Sequence, residues 1–234
     1  MTSSNSPTLT PYQTALRNRM LDTPVLPAPP PWRRVVDAPV GGLLGIGFAT
    51  HPDTGHDLVM AVSTGGHGLF DAVTGDRLAR ERDPEPEDST PDESPDLTCP
   101  GLGPVTATRV HIAGRYGGGL HSTAEGWYLQ VVSPDWPHHR VVLAAAGGRP
   151  HKDPYGETWW HVLHARHSEF RAAGFSPSGR TLAVATSSAS PEKSLGAGSD
   201  REVAKPRRCE RTTAAGSPAI GCLRSRRRSS RTVR

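Results

Sequence analysis

Three histidines spaced three residues apart are the clearest candidates for chemistry in this sequence. His161, His164 and His167 lie in the stretch WWHVLHARH. Neutral imidazole nitrogens are common ligands of zinc and copper. On a helix the three side chains would stay near one face and could hold a metal ion, as in a metal-dependent hydrolase, whereas on a strand they would not converge. The alternative is that they are ordinary polar positions beside two tryptophans of a sheet, and the lack of cysteine or carboxylate at zinc-finger spacing favours it.

A second polar stretch and a pair of serines offer weaker chemistry. HPDTGHD, residues 51–57, has two histidines and two aspartates that could clasp a cation, although a turn rich in Asp, Gly and Pro needs no ion. Ser176 and Ser178 are explained by turn preference, and the sequence has neither a G-x-S-x-G elbow nor a Walker loop. The sequence therefore predicts no catalytic residue and no cofactor, and a non-enzymatic protein is favoured.

The C-terminal residues carry the basic charge of the chain. Ten arginines and one lysine against two glutamates give residues 201–234 a net charge of +9, which leaves −5 for residues 1–200 within the overall +4. Such arginines could bind nucleic-acid phosphates weakly and without sequence preference, and the candidates are Arg224, Arg226, Arg227, Arg228 and Arg231. Because no aromatic residue is interleaved to stack bases, a solvated tail is the favoured alternative.

The elements that would position these residues are mostly strands. EFRAAGFSPSGRTLAVATSS, residues 169–188, alternates apolar residues on both sides of a Ser-Pro-Ser-Gly turn and predicts a β-hairpin. Residues 43–83 predict four short strands separated by tight turns, and residues 106–147 repeat this pattern more faintly. A short helix is predicted over Tyr12–Leu21, with Thr10 as its N-cap.

Two of these stretches resemble repeats of the WD40-type β-propeller family. FSPSG followed by TLAVATSS is similar to the first half of such a repeat, in which FSP-x-G turns into xLAxAxSx before two further strands. LVMAVSTGGHGLFDAVTGDRLA is also similar, with Asp71, Thr74 and Gly75 where these repeats often read W-D-x-x-T-G, and with Phe70 in place of the tryptophan. The resemblance implies four-stranded antiparallel blades that present loops to protein partners, and it implies no activity.

We therefore predict an all-β fold of two to three propeller-like four-stranded antiparallel units, incomplete at the C-terminus, with disordered N- and C-terminal segments. An irregular β-sandwich built from the same hairpins is the alternative. The predicted organisation is a Pro-rich segment (1–31), a β-rich domain (32–188) with an acidic loop of eight carboxylates and four prolines (81–98), and an Arg-rich tail (189–234). The tail is interpreted either as a disordered appendage or as the product of a reading-frame shift near codon 188.

Composition narrows the class of protein further. Only 35% of residues are hydrophobic, and 25 glycines with 23 prolines indicate a loop-rich β protein. Three cysteines without a CxxC pair argue against a disulfide framework and fit a reducing compartment. No apolar run is long enough for a membrane span, so we predict a soluble cytoplasmic protein. The predicted function is a WD40-like scaffold or interaction module with a protein partner; contact with nucleic acid and metal-dependent hydrolysis are the alternatives.

Two expectations follow from the end of the strand pattern at Ser188. Residues 189–234 add almost no apolar periodicity, so a chain ending at Ser188 should keep its fold and melting temperature. Without further strands, Thr181–Thr186 would be an apolar, uncharged and open sheet edge. That edge predicts self-association of the protein.

Overall fold

A computed structural model of the chain describes residues 8–85, 96–112, 114–188 and 219–225. These residues contain one α-helix, α1 (Pro11–Asp22), a 3-10 helix at Gly103–Val105, and thirteen strands. The strands in chain order are β1 (Trp32–Pro39), β2 (Leu43–Thr50), β3 (Asp57–Ser63), β4 (Gly66–Asp71), β5 (Arg77–Glu81), β6 (Thr98–Pro100), β7 (Arg109–His111), β8 (Tyr128–Asp135), β9 (His138–Ala144), β10 (Trp159–Ala165), β11 (Ser168–Phe175), β12 (Thr181–Ser188) and β13 (Ala219–Ser225). All paired strands are antiparallel, and the predicted all-β class is confirmed.

The helix α1 begins where its capping residues predict. The Thr10 hydroxyl accepts a hydrogen bond from the Gln13 backbone nitrogen at 3.2 Å, and the Gln13 side chain accepts one from the Thr10 nitrogen at 2.9 Å. This reciprocal pair satisfies two backbone donors that a helix start leaves free. The helix ends at Thr23, which adopts an extended conformation. The predicted helix over Tyr12–Leu21 is confirmed.

One four-stranded sheet follows the chain order β2-β3-β4-β5. It confirms the four strands predicted for residues 43–83. The seven residues of β3 are all buried, since the strand has a neighbour on each side and the sheet is covered on both faces. An uninterrupted apolar run such as DLVMAVS is typical of that position.

A three-stranded sheet has the order β10-β9-β8. β8 and β9 belong to the fainter strand pattern of residues 106–147, whereas β10 lies between that pattern and the predicted hairpin at residues 169–188, where no strand is predicted. In β10 the pairing register shifts between His161 and Leu163, which face Val142 and Val141 of β9. The extra residue, Val162, is a β-bulge, and it places His161 and His164 on the same face of the sheet.

The stretch between β7 and β8 is mostly irregular. The fainter strand pattern of residues 106–147 includes a strand over residues 119–126, but in the structure these residues make only isolated bridges, at Leu120 and Ser122. The Gly126 nitrogen donates to the Thr123 carbonyl, and this turn directs the chain into β8. The prediction of a continuous strand there is wrong: Leu120 exchanges backbone bonds with Phe175, but the nitrogens of Gly119 and Gly126 donate within turns, so no ladder extends along the stretch.

A second four-stranded sheet joins the two ends of the described chain in the order β1-β13-β12-β11. The predicted hairpin at residues 169–188 is confirmed as β11 and β12. β13 pairs with β12 on one side and with β1 on the other, so that Trp32 of β1 faces Ser225 and Thr186 of β12 faces Ala219. This sheet therefore needs a strand from within the segment assigned to the tail.

β13 corrects both expectations that rested on an end of the strand pattern at Ser188. The Thr181–Thr186 edge is not open, because β13 covers it along its length. The argument for self-association from that edge therefore has no structural basis. Ile220 and Cys222 of β13 are only 1% exposed, so the tail contributes to the core. The strand was missed because its seven residues, AIGCLRS, alternate over too short a distance and stand in a polar context.

The three larger sheets stack with the β1-β13-β12-β11 sheet in the middle. One face of this sheet packs on the β2–β5 sheet through a first core cluster that includes Ile46, Ala183 and Ile220. Its other face packs on the β8–β10 sheet through a second cluster that includes Phe175 and Leu182. The middle sheet is thus buried on both faces. A cleft remains between it and the β8–β10 sheet.

Two further predictions concern the acidic loop and membrane-spanning segments. Most of the acidic loop at 81–98 lies outside the described residues; the part that is described ends β5 and begins β6. Among the described residues, no helix is both long enough and apolar enough to span a bilayer.

Candidate functional site: an inter-sheet groove and its histidine-anchored wall

The structure brings two of the three predicted metal-binding histidines together and leaves the third apart. His161 and His164 lie on β10, whereas His167 is exposed in the turn before β11. Within the described ranges, no group of three or more His, Cys, Asp or Glu side chains is arranged to hold a metal ion. A spacing of three residues keeps side chains near one face on a helix but not on a strand. Because His161 and His164 lie on a strand, the spacing alone does not bring three imidazoles together.

His161 is fully buried and anchors the segment that follows α1. Its Nδ1 lies 2.9 Å from the Thr23 hydroxyl and 3.3 Å from the Thr23 carbonyl oxygen. Its carbonyl accepts a hydrogen bond of 2.8 Å from the Leu26 nitrogen, and Val25 forms a parallel bridge with it. Among the described residues, the buried His161 Nε2 has no hydrogen-bond partner. Burial lowers the pKa of His161, and the positive charge of Arg140 lowers it further.

Arg140 and Asp135 complete the polar contacts under the end of α1. Arg140 of β9 is buried, and its Nη1 donates to the Met20 carbonyl of α1 at 2.8 Å. Its Nη2 lies 3.3 Å from an Asp135 carboxylate oxygen, which is also 3.1 Å from His164 Nε2. Burial alone would raise the pKa of Asp135, but the hydrogen bond and charge of Arg140 outweigh burial and hold it below its ordinary value.

Apolar contacts hold the rest of α1 on the same sheet face. Met20 packs with Val142, Ala144 and Trp159 in a separate core cluster. The guanidinium carbon of Arg19 lies 5.2 Å from the centre of a Trp159 ring, a distance at which a cation and an aromatic face attract each other. The helix therefore covers the outer face of the β8–β10 sheet, and the chain leaves it at Thr23 beside His161.

A groove opens between the β8–β10 sheet and the middle sheet, and residues 25–28 form one of its walls. We call it the inter-sheet groove. It has a volume of about 590 Å³ and is mostly apolar. Its lining consists of Val25, Leu26, Pro27, Ala28, Arg33, Arg34, Val162, Leu163, Val184, Thr186, Gly221 and Leu223. Two arginines and no carboxylate belong to this lining.

Gly221 of β13 leaves part of the groove open. A Cβ atom placed on Gly221 would have one neighbour within 4 Å, an Arg34 guanidinium nitrogen at 3.7 Å. Arg34 also pairs with Asp37 at 3.1 Å, and both of these side chains are more than half exposed. The space over Gly221 is therefore accessible, and a guanidinium borders it.

The two histidines and two aspartates of residues 51–57 do not converge on one point. His56 Nδ1 pairs with an Asp71 carboxylate oxygen at 2.8 Å. His51 Nδ1 accepts a hydrogen bond from the Asp53 backbone nitrogen at 3.2 Å, within its own turn. Asp57 points elsewhere, towards the β11–β12 turn. Only the bond of His51 is a turn bond, whereas His56 and Asp57 each bond a different element of the fold.

The two serines of the FSPSG turn bind a buried carboxylate. One Asp57 oxygen accepts hydrogen bonds from Ser176 at 3.0 Å, Ser178 at 2.8 Å and Thr181 at 2.8 Å. A hydroxyl that donates to a buried carboxylate satisfies that charge and is not presented as a nucleophile. These bonds connect the β2–β3 turn to the β11–β12 turn, which joins the first and middle sheets.

The predicted nucleic-acid contacts are only partly within the described chain. Arg224 lies on β13, opposite Arg33 of β1 and Thr181 of β12. The other four candidates, Arg226, Arg227, Arg228 and Arg231, lie outside the described residues. Cys222 on the same strand is buried, and burial raises the pKa of its thiol to about 12.

Sequence reasoning missed Arg140, Asp135 and Thr23, and it missed the groove itself. One signal for the first was present: Arg140 stands directly before the apolar run of β9, and a cation in a buried strand requires a paired acceptor. No local signal identifies the groove, because its walls come from five separate parts of the chain.

Comparisons of the chain with protein-family models, with curated proteins and with solved structures find no match. The resemblance to WD40-type repeats thus remains a prediction that depends on the quoted motifs.

Proposed function

We propose that this chain is a non-enzymatic interaction module of WD40-like, propeller-related architecture, and that its inter-sheet groove binds an extended segment of a partner protein. The observation that supports this function is the groove itself, an apolar cleft of about 590 Å³ beside a free strand edge. This volume falls in the range of roughly 300–1,000 Å³ that is typical of ligand sites.

The strand edge beside the groove is suited to an extended partner. β10 is the outer strand of its sheet, and its far edge receives backbone hydrogen bonds at Trp159 and His161 only, within the described residues. Beyond His161 the edge is free towards Ala165. An extended peptide can pair with such an edge through its backbone while alternate side chains enter a neighbouring pocket. Val162 and Leu163 offer apolar surface at that place.

The charge of the lining favours one chemistry for this peptide. Arg33 and Arg34 border the groove, and its lining includes no carboxylate from the part of the chain that the structure describes. Arg34 is paired with Asp37, but this pair is exposed, so an incoming carboxylate can compete for the guanidinium at small cost. We therefore propose a segment of alternating apolar residues with an acidic residue near the Arg34 end.

The polar groups that looked most suited to catalysis have other partners. Asp57 is bound by three hydroxyls, His56 by Asp71, and His164 by Asp135. Each of these contacts joins two elements of the fold. This use of the candidate groups supports a binding role over an enzymatic one.

A peptide-display selection on the purified full chain tests this function. We expect enriched peptides to alternate apolar residues and to carry an acidic residue. Gly221→Val should weaken their binding at least tenfold, because the new side chain enters the groove while the backbone of Gly221 needs no left-handed conformation. Gly41→Val is the matched control, since a Cβ there meets nothing within 4 Å and Gly41 does not line the groove.

The result can also contradict the proposal. If selected peptides bind Gly221→Val as tightly as the unmodified chain, the groove is not their site. If the selection yields no peptide whose binding is weakened by Gly221→Val, the groove is not a peptide site at all.

A further inference from the structure

The wall of the inter-sheet groove is attached to the protein through one buried histidine. Residues 25–28 form this wall. The chain reaches it from α1 through Thr23, whose side chain and carbonyl lie against His161, and through Leu26, whose nitrogen bonds the His161 carbonyl. The Tyr155 hydroxyl bonds the Pro24 carbonyl and also accepts from the His161 nitrogen. The hydrogen bonds at the α1 end of the wall therefore meet at His161 and Tyr155, and Ala28 at its other end packs on the second core cluster.

The hydrogen bonds of His161 suit a neutral ring. Nδ1 lies next to two oxygens of Thr23, one of them a carbonyl that can only accept, so the ring proton belongs on Nδ1. Nε2 is then an acceptor without a donor in a fully buried position. A second proton would add a buried N–H with no acceptor together with a full positive charge.

The charged groups around His161 also disfavour its protonation. Arg140 of β9 is a buried cation, and His164 of β10 would add a second positive charge if it were protonated. Asp135 at the end of β8 is the opposing carboxylate, but Arg140 and His164 already bind it. From the connecting loop, Tyr155 presents a neutral hydroxyl.

Further charged groups stand around this cluster. They lie near three residues close to His161: Arg19 is over Trp159, Arg149 and His151 are near Asp153, and His138 and Arg166 are near His164. Cations outnumber free carboxylates among them, and therefore the surroundings do not compensate a charged His161.

We propose that His161 is an acid-sensitive latch: when it takes up a proton, the Thr23–Ala28 segment and the end of α1 detach from the β8–β10 sheet, and the groove loses a wall. The detachment itself needs no ligand and does not depend on the proposed function. Its consequence for binding rests on the proposed function of the groove.

The direction of the pH effect follows from the burial of His161. Its pKa in the latched state is lowered from 6.5, chiefly by burial, and when the Thr23–Ala28 segment leaves β10 the ring is exposed and its pKa rises towards the ordinary value. The detached state therefore binds more protons below that value. The latch is fully closed above pH 6.5 and opens as the pH falls from 6.5 through the lowered pKa, by at most tenfold per pH unit for each proton.

Hydrogen exchange of the full chain at pH 7.5 and 5.5, corrected for the intrinsic chemical rate, measures the latch without any ligand. We expect the opening of residues 8–28 to increase several-fold at the lower pH, up to the limit of about tenfold that one proton allows over this range, while the β2–β5 sheet does not change. His161→Gln, which cannot be protonated, should remove this difference. His139→Gln is the matched control: burial also lowers the pKa of His139, but its ring stacks on Phe170 and contacts Trp136.

Opening that does not depend on pH, or that persists in His161→Gln, overturns the latch. Because this variant removes a buried ring and could fail to fold, the titration of His161 in the unmodified, histidine-labelled protein by NMR is a second test. A His161 pKa at or above 6.5 overturns the proposal.

A selected peptide whose binding is weakened by Gly221→Val then distinguishes the two proposals. Its affinity should fall by up to about tenfold from pH 7.5 to 5.5 in the unmodified chain and should not fall in His161→Gln. If the latch opens but no such peptide exists, the proposed function is wrong and the latch is supported. If the peptide binds the groove and residues 8–28 do not open with acid, the latch alone is wrong.

Discussion

Loss of the buried side chain at the centre of β13 should destabilise the whole protein. Ile220 is 1% exposed, and it packs in the first core cluster, between the β2–β5 sheet and the middle sheet. Its strand lies between β1 and β12. Ile220→Ala removes three carbon atoms from this position and leaves a cavity, because two rigid sheets enclose it.

The expected loss can be stated as a range. Replacing a buried isoleucine with alanine costs about 2–5 kcal/mol of unfolding free energy. For a chain of this size, each kcal/mol lowers the melting temperature by roughly 2–4 °C, so a central value of about 3 kcal/mol corresponds to roughly 6–12 °C. Leu78→Ala is the control. Leu78 is 38% exposed on the edge strand β5, so the same kind of truncation there should cost about 1 kcal/mol or less.

Urea unfolding and thermal melting followed by circular dichroism measure both variants. A chain that ends at Ser188 extends the test, since it removes β13 and exposes the edges of β1 and β12 that β13 pairs with. We expect this chain to melt below Ile220→Ala or to lose its cooperative transition. If Ile220→Ala or the shortened chain has the same melting temperature as the unmodified protein, β13 does not belong to the core. The expectation from the sequence, that the tail is dispensable, is then correct.

Three further predictions follow from the buried polar groups. Asp57→Ala should cost about 1–3 kcal/mol in urea unfolding because it leaves hydroxyls buried without their acceptor, whereas the exposed Asp53→Ala should have almost no effect; equal losses would contradict this. Arg140→Met leaves the Met20 carbonyl at the end of α1 without its donor, so protease cleavage within α1 should become faster, and an unchanged rate would show that the helix is held by apolar contacts alone. Cys222 has a pKa of about 12, so in a Cys209→Ser chain no thiol should react with Ellman's reagent at pH 8 until denaturant is added.

The sequence predicted those elements whose pairing is local. The hairpin at residues 169–188, the four strands of residues 43–83 and the helix capped by Thr10 all carry their partners within a few residues of themselves. Their periodicity and turn residues are therefore sufficient for a prediction. The middle sheet differs, because β1 and β13 come from opposite ends of the chain and neither strand indicates the other.

The histidines show the same limit at the level of side chains. The spacing of His161 and His164 predicts opposite faces on a regular strand, and one face only on a helix. The bulge at Val162 brings them to one face of a strand, a third case that the spacing does not reveal. What they then contact, Thr23 and Asp135, is fixed by where α1 and the β8–β9 turn lie, which is tertiary information.

The pairing of β1 with β13 also explains why the groove and its latch depend on one another. β1 and β13 supply Arg34, Gly221 and Leu223 to one side of the groove, and residues 25–28 supply the other side only seven residues or fewer before β1 begins. A segment this short is fixed at one end by β1 and at the other by His161. If His161 releases it, the β1 end still holds, so the wall swings outwards while the middle sheet keeps its pairing. The groove can therefore open without unfolding of the core, which is the property that a reversible switch requires.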